Sequence, residues 1–383
     1  MGGIVDGKGT AVKFNYPLGG DGDRYGNAYF ADSACLIRKM TSAAVVTTIA
    51  GLGGSCSYAD GTGTNARFNS LEFLTLGWDG SLYVSDTFNY RLRKVSTAGV
   101  VTTYAGSGTS GYIDGTGTNA AFTLMTGVVG DPWFNIYLVE YSLHLIRKIS
   151  PAGVVTTFAG SNWGYADGIG NTAQFPNPTS ITADSSGCLY VTTQGGNSIR
   201  KITSGGSVTT FAGSTSGVAG YADGMGTSAR FTCNNNQCSI DIDTSFNTLY
   251  VAERGVARIR RVTASGGVST IAGTGSSGSS DGIGTSASFN FPDGIVFAGS
   301  VLNIADSNNV LIRSIEIGAV PAGRYCSYWL LSRTLHLIVV ILLLLLLLFY
   351  LVPCSAGQYY DYSGCTTVPA GTCAQCYTQM NKK

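Results

Sequence analysis

Leu82-Tyr83-Val84-Ser85-Asp86, Arg91-Leu92-Arg93-Lys94-Val95 and Val100-Val101-Thr102-Thr103-Tyr104-Ala105-Gly106 follow one another with a four-residue turn at each join. Before them stand Leu71-Glu72-Phe73-Leu74-Thr75-Leu76 and the turn Trp78-Asp79-Gly80. These are four short runs rich in β-branched and aromatic residues, bounded by Gly, Asp and Asn, with no window at helical period. They predict four consecutive antiparallel strands.

The same phrase recurs along the chain. An Asp-Gly pair opens each copy at Asp6, Asp60, Asp114, Asp167, Asp223 and Asp281, at spacings of 54, 54, 53, 56 and 58 residues. An arginine follows in step at Arg38, Arg93, Arg147, Arg200, Arg260 and Arg313. The last strand closes on Ala-Gly at Ala50, Ala105, Ala159, Ala212 and Ala272, five times rather than six. A four-stranded sheet cannot bury both of its own faces, but sheets stacked radially around an axis bury each other. The sequence therefore predicts an all-β, six-bladed β-propeller of four-stranded blades over residues 1–318.

The sixth copy is short. After Arg313 the chain reads Ser314-Ile315-Glu316-Ile317-Gly318-Ala319-Val320-Pro321, which has no Val-Thr-Thr strand, and proline interrupts a ladder. Only residues 1–5 precede the first Asp-Gly pair, so the expectation is a chain that starts inside a repeat and a last blade without its outer strand.

Leu82-Tyr83-Val84-Ser85-Asp86, Asn89, Arg91-Leu92-Arg93-Lys94-Val95 and Gly99-Val100-Val101-Thr102-Thr103-Tyr104-Ala105-Gly106 resemble the NHL-repeat family, whose repeats are propeller blades. The resemblance runs in register through residues 1–318. Some relatives bind RNA on a basic face. Here net charge is +1, charged residues make up 12%, and the corresponding loops are Ser, Gly, Thr, Asn and Asp, which argues against a nucleic-acid partner.

The remainder divides into a linker at 319–334, an apolar segment at 335–352 and a Cys-rich tail at 353–383. Residues 337–352 are sixteen uninterrupted apolar or aromatic residues. Counted from Leu335, the segment would span roughly 27 Å as a helix, which predicts a transmembrane helix and a membrane association through 335–352. Arg324 and Arg333 before the run favour a cytoplasmic propeller by local charge. The resemblance and the cysteine usage favour an extracellular one, and the extracellular placement is the expectation adopted. Val320-Pro321-Ala322-Gly323-Arg324-Tyr325-Cys326 and Cys354-Ser355-Ala356-Gly357-Gln358-Tyr359 also look like pieces of one extracellular module split by the run. A translated intron at 327–353 would explain that, and would make the protein secreted. Cys354, Cys365, Cys373 and Cys376 resemble small disulfide-dependent receptor modules, because so short a segment cannot bury an adequate core. Within the ring, Cys35 with Cys56 and Cys233 with Cys238 are expected to form disulfides.

Catalytic signals are thin. Histidine occurs only at His144 and His336, so the His-rich zinc site of the related six-bladed lyases cannot be assembled. Asp32, Asp86, Glu140, Thr193, Glu253 and Asp306 end the second strands, and acids in five of six copies read as turn caps. The six arginines are expected to pair with acids between adjacent blades. Binding residues are sought where the top loops leave the repeat, at Trp163, Tyr165, Asn197, Glu253 and Arg254. The sequence thus reads as a non-enzymatic binding module that recognises protein or glycan and needs no cofactor. The alternative is a calcium-dependent lactonase or hydrolase of the same fold, holding the ion through Glu140, Glu253 and Asp306 with Asn197 nearby.

Overall fold

The computed structural model describes residues 3–233 and 237–317, together with the backbone of a hairpin formed by Gln358–Asp361 and Gly364–Thr367. The chain divides into two compact units, Met1–Ile317 and Gly318–Lys383.

The first unit is a ring of six antiparallel sheets. Blade two shows the plan: Leu71–Leu76 is the inner strand, followed outward by Leu82–Asp86, Arg91–Val95 and Val100–Ala105. The inner strands of the six blades, Pro17–Gly22, Leu71–Leu76, Met125–Gly130, Pro178–Ala183, Cys238–Asp243 and Pro292–Ala298, pack side by side around the axis and close the ring. Among the described residues the helices are three-residue 3-10 turns, and none is long and apolar enough to cross a membrane. The expectations for 319–334, for the apolar segment 335–352 and for most of the Cys-rich tail fall outside the described residues.

Five blades carry five strands, not four. The additional strand is the Asp-Gly segment itself, for example Gly61–Thr62 pairing with Val100 and Val101. The fourth strand would otherwise present a bare row of backbone donors and acceptors at the outer edge, and the connector entering the blade covers part of that row. The Asp-Gly pairs therefore sit on the outer flank of the ring rather than in loops at its mouth. Among the described residues blade six has three strands, Pro292–Ala298, Val301–Asp306 and Leu311–Glu316.

Each connector also inserts one phenylalanine between blades. Phe14, Phe68, Phe122, Phe175, Phe231 and Phe289 are all buried. Phe68 joins Ala31, Ile37 and Ala50 of blade one to Leu74, Val84 and Val101 of blade two, so the apolar core lies between sheets rather than within them.

The repeated arginine lies at the centre of each blade. Arg93 is completely buried, bonds Asp60 at 2.6 Å and Asp86 at 2.7 Å, and donates to the carbonyls of Ala59 and Arg67. Its guanidinium lies over the rings of Tyr58 and Phe68. Arg147 pairs likewise with Asp114 and Glu140, and Arg260 with Asp223 and Glu253. These pairs lie within one sheet, which corrects the expectation of bridges between adjacent blades. The arginine reaches from the third strand to the acid ending the second strand and to the connector flanking the same blade, so it locks the blade internally.

Candidate functional site

Second-to-third-strand turns and the segments leading into the inner strands share one face of the ring, called the top face here. On this face a cavity of about 420 Å³ opens, lined from four blades. Tyr16 and Leu18 come from blade one, Ser70, Glu72 and Phe88 from blade two, Arg254 from blade five and Asp293 from blade six. The disulfide Cys35–Cys56 forms part of the wall.

The polar side chains form a network. Arg254 Nε lies 2.6 Å from Asp293 Oδ1, and Arg254 Nη2 donates to the Tyr16 hydroxyl at 2.8 Å. The guanidinium also covers the ring of Phe291. Burial raises the Asp293 carboxyl, and the Arg254 charge opposes that shift. Burial and the nearby Asp293 push the Tyr16 phenol up to about 12. Glu72 takes part by proximity. Burial, reinforced by the Asp293 charge, lifts its carboxyl from the ordinary range to about 7, so this group is half protonated near neutrality. The mouth thus offers a fixed cationic donor, a fixed acceptor, a phenol and a carboxyl that can donate or accept, beside the half-exposed ring of Phe88.

The position after the first residue of each inner strand is Leu18, Glu72, Thr126, Thr179, Ser239 and Asp293. Two acids in that series mark the mouth. Reading them as a site requires knowing that blades two and six are near neighbours across the ring, which the linear repeat does not display. Deeper along the inner strands, Asp21 accepts from Thr75 Oγ1 and from the amide of Leu76, each at 2.8 Å, joining blade one to blade two. Asp241 accepts from the amide of Phe297 at 2.6 Å, joining blade five to blade six. Burial raises both carboxyls, and for Asp241 the charge of Asp21 adds to it.

The residues anticipated from sequence fall into separate groups. Arg254 is in the mouth. Its neighbour Glu253 is buried beneath it, paired with Arg260 at 2.8 Å and accepting from the amide of Thr232. Trp163 and Tyr165 meet edge to face at 5.2 Å on the rim of blade four, with Trp163 half exposed and the Tyr165 hydroxyl donating to Gly195 O. Asn197, in the adjoining turn, donates to Gly217 O and accepts from the amide of Cys233. Trp163, Tyr165 and Asn197 thus gather on blade four and do not line the mouth cavity.

The three acids of the calcium reading do not converge. Glu140 pairs with Arg147, Glu253 with Arg260 and Asp306 with Arg313, each within its own blade. Among the described residues no three His, Cys, Asp or Glu side chains stand close enough to hold a metal ion. The acids serve as caps, since Asp86 accepts from the amide of Asn69 and from Asn89 Nδ2, and Asp306 from the amide of Asn290. His144 accepts from the amide of Asn177 through Nδ1, and burial lowers its pKa. Both expected ring disulfides are present, Cys35–Cys56 with Cα atoms 5.6 Å apart and Cys233–Cys238 at 5.4 Å.

No family model and no curated protein matches the sequence, so the NHL resemblance rests on the residues quoted above. Solved structures do match. A crystal structure of an auxiliary nutrient binding protein from Bacteroides thetaiotaomicron aligns with a TM-score of 0.61 at 16% identity, covering 82% of this chain and 72% of that one. An auxiliary nutrient binding protein from Bacteroides ovatus aligns at 0.60 and 18%, with the same coverage. A streptogramin B lyase aligns at 0.50 and 14%, covering 79% of this chain and 94% of the lyase. At these identities the likeness establishes what the chain shares with them: the six-bladed propeller fold.

Proposed function

We propose that the propeller is a non-enzymatic binding module whose top-face mouth holds a polyhydroxylated ligand, of the glycan class, within a cell-surface or secreted protein. The observation that carries this reading is the meeting of Tyr16, Glu72, Arg254 and Asp293 from four different blades around one cavity. Vicinal hydroxyls need paired donors and acceptors on a rigid frame, and Arg254 with Asp293 supplies such a pair already bonded in place. Phe88 offers an apolar face for the less polar side of a sugar ring. Trp163 and Tyr165 form an aromatic pair on the blade-four rim, apart from the mouth cavity, as a second contact for a partner protein. The two nutrient-binding propellers among the similar structures accord with a binding role.

The test is a glycan array with the full chain, followed by calorimetric titration of each hit with and without EDTA. Binding that is unaffected by EDTA and weakened at least tenfold by Arg254→Ala supports the mouth as the site. Hits that keep their affinity in both Arg254→Ala and Phe88→Ala overturn it. Binding or turnover that needs calcium moves the assignment to the hydrolase class.

A further inference from the structure

The mouth cavity carries one charge that the fold does not use. Its wall holds two acids, Glu72 and Asp293, and one cation, Arg254. Arg254 is taken: its Nε lies 2.6 Å from Asp293 Oδ1, its Nη2 donates to Tyr16, and its guanidinium lies over Phe291. Glu72 is left with the Ser70 hydroxyl at 3.4 Å, longer than the roughly 2.5–3.0 Å of an ordinary O–H···O bond. Among the described residues every other acid that is not exposed pairs with a cation or accepts a backbone amide, as Asp86 does with Arg93 and from Asn69, Asp131 from Trp133 and Asp241 from Phe297. The repeat itself shows that no acid is needed at this place. The matching residue of the inner strand is Leu18, Thr126, Thr179 and Ser239 in blades one, three, four and five, and those blades form the same sheet.

A carboxylate so placed has a chemical preference. Burial, and after it the charge of Asp293, lift the Glu72 carboxyl to about 7. A cation bound beside it removes that penalty, because an ammonium favours the ionised carboxylate and balances the charge of the wall. Phe88 is the aromatic ring such a cation meets, since it is 55% exposed and lines the same cavity, and the face of an aromatic ring attracts cations. Around these groups the wall presents Ser33, Asn69, Ser70 and Gln237, neutral polar side chains suited to hydroxyl groups.

We propose that the mouth selects a sugar carrying a primary ammonium, an amino sugar, with Glu72 accepting from the ammonium while Arg254, Asp293 and Tyr16 take the neighbouring hydroxyls. This rests on the top-face mouth being the binding site, and adds the charge of the ligand and the residue that reads it. A neutral or N-acetylated sugar leaves the Glu72 charge unmatched. An acidic sugar meets two carboxylates and a guanidinium already engaged by one of them. Glu72 is thus a specificity-determining residue: it separates amino sugars from their N-acetylated counterparts instead of raising the affinity for both.

The probes are deacetylated chitobiose and N,N′-diacetylchitobiose, which share a skeleton and differ in the ammonium groups, titrated calorimetrically into the full chain and its variants. The parent should bind the deacetylated sugar at least tenfold more tightly. Glu72→Gln should bring the two affinities level, and Arg254→Ala should weaken both. Because the readout is a ratio within one variant, a change in folded fraction cancels. A parent that binds both sugars equally, with both weakened by Arg254→Ala, overturns the amino-sugar assignment and leaves the mouth standing. Binding that survives both Arg254→Ala and Phe88→Ala overturns the mouth as well. A preference that persists in Glu72→Gln, displacement of the deacetylated sugar by an equal concentration of Nα-acetyl-lysinamide, or no binding of either sugar also overturns the inference.

Discussion

Arg93 and Arg200 occupy the same place in repeats two and four but differ in what their removal would leave behind. Asp86 has no exposed surface and would remain charged and buried without Arg93, whereas blade four has Thr193 in place of the acid and its partner Asp167 is half in solvent. Breaking a buried pair from one side costs roughly 3–5 kcal/mol, mainly through the charge left behind. Arg93→Met is therefore expected to lower stability by that amount and Arg200→Met by clearly less, as read by denaturant unfolding of the two variants side by side. Burial also lowers the Arg200 pKa, the electrostatic mark of a guanidinium with one acid partner instead of two. Glu72 gives a pH signature at the mouth. Its folded carboxyl keeps its proton up to about pH 7, while the unfolded one releases it in the ordinary range. Its contribution to stability is thus fully present in acid and is lost as pH rises through 7. Glu72→Gln, which stays neutral, should be more stable than the parent at pH 8 by on the order of 2 kcal/mol and closely matched at pH 4, measured by thermal unfolding across that range.

At the scale of elements, the Cys35–Cys56 bond ties the top turn of blade one to the connector entering blade two, and both cysteines line the mouth. A crosslink closing a loop of about this length is worth roughly 3 kcal/mol through restriction of the unfolded chain. Paired Cys35→Ser and Cys56→Ser substitutions should lower Tm and weaken ligand affinity at the mouth together. Loss of Tm with unchanged affinity would show that the bond staples the ring without shaping the site. The Cys233–Cys238 bond closes a short loop that carries Gln237, a residue of the cavity wall, so its removal should also weaken affinity at the mouth. The two-residue edge strands act at this same scale, because each lets a connector cover an outer strand it was only expected to lead past.

For the whole ring, the junction between blades six and one is the thinnest. Ala28, Phe30, Val296 and Ala298 are its buried apolar residues, a smaller set than any other cluster among the described residues. Backbone contact replaces side-chain packing there. A β-carbon at Gly294 would fall 2.4 Å from Leu18 O, and one at Gly22 would fall 2.3 Å from Phe297 O, so the two inner strands approach as closely as they do because both residues are glycine. Ser307 Oγ adds a bond to Pro17 O, and Arg254 to Tyr16 spans the same side of the ring. Gly294→Val is expected to open the ring here. Hydrogen exchange should then quicken first in Pro292–Ala298 and Pro17–Gly22 while blades three and four keep their protection. Uniform acceleration around the ring would instead mean that the junction does not unfold separately.

The six blades and the order of their four main strands were legible in the sequence, because a period-two pattern with Gly-rich turns repeated six times admits few ways to bury both faces of each sheet; the fifth, two-residue edge strand was not. The two disulfides were legible for a related reason: the topology puts their loops on one rim. The arginine pairing was not, since Asp60 and Asp86 lie 33 and 7 residues from Arg93 and only the folded connector brings both to one guanidinium. Nor was the mouth. Tyr16, Glu72, Arg254 and Asp293 sit on four blades spread over most of the ring sequence, and ring closure alone makes neighbours of its two ends. Local chemistry specifies each blade, whereas the site arises where blades meet, and that is decided by the tertiary structure.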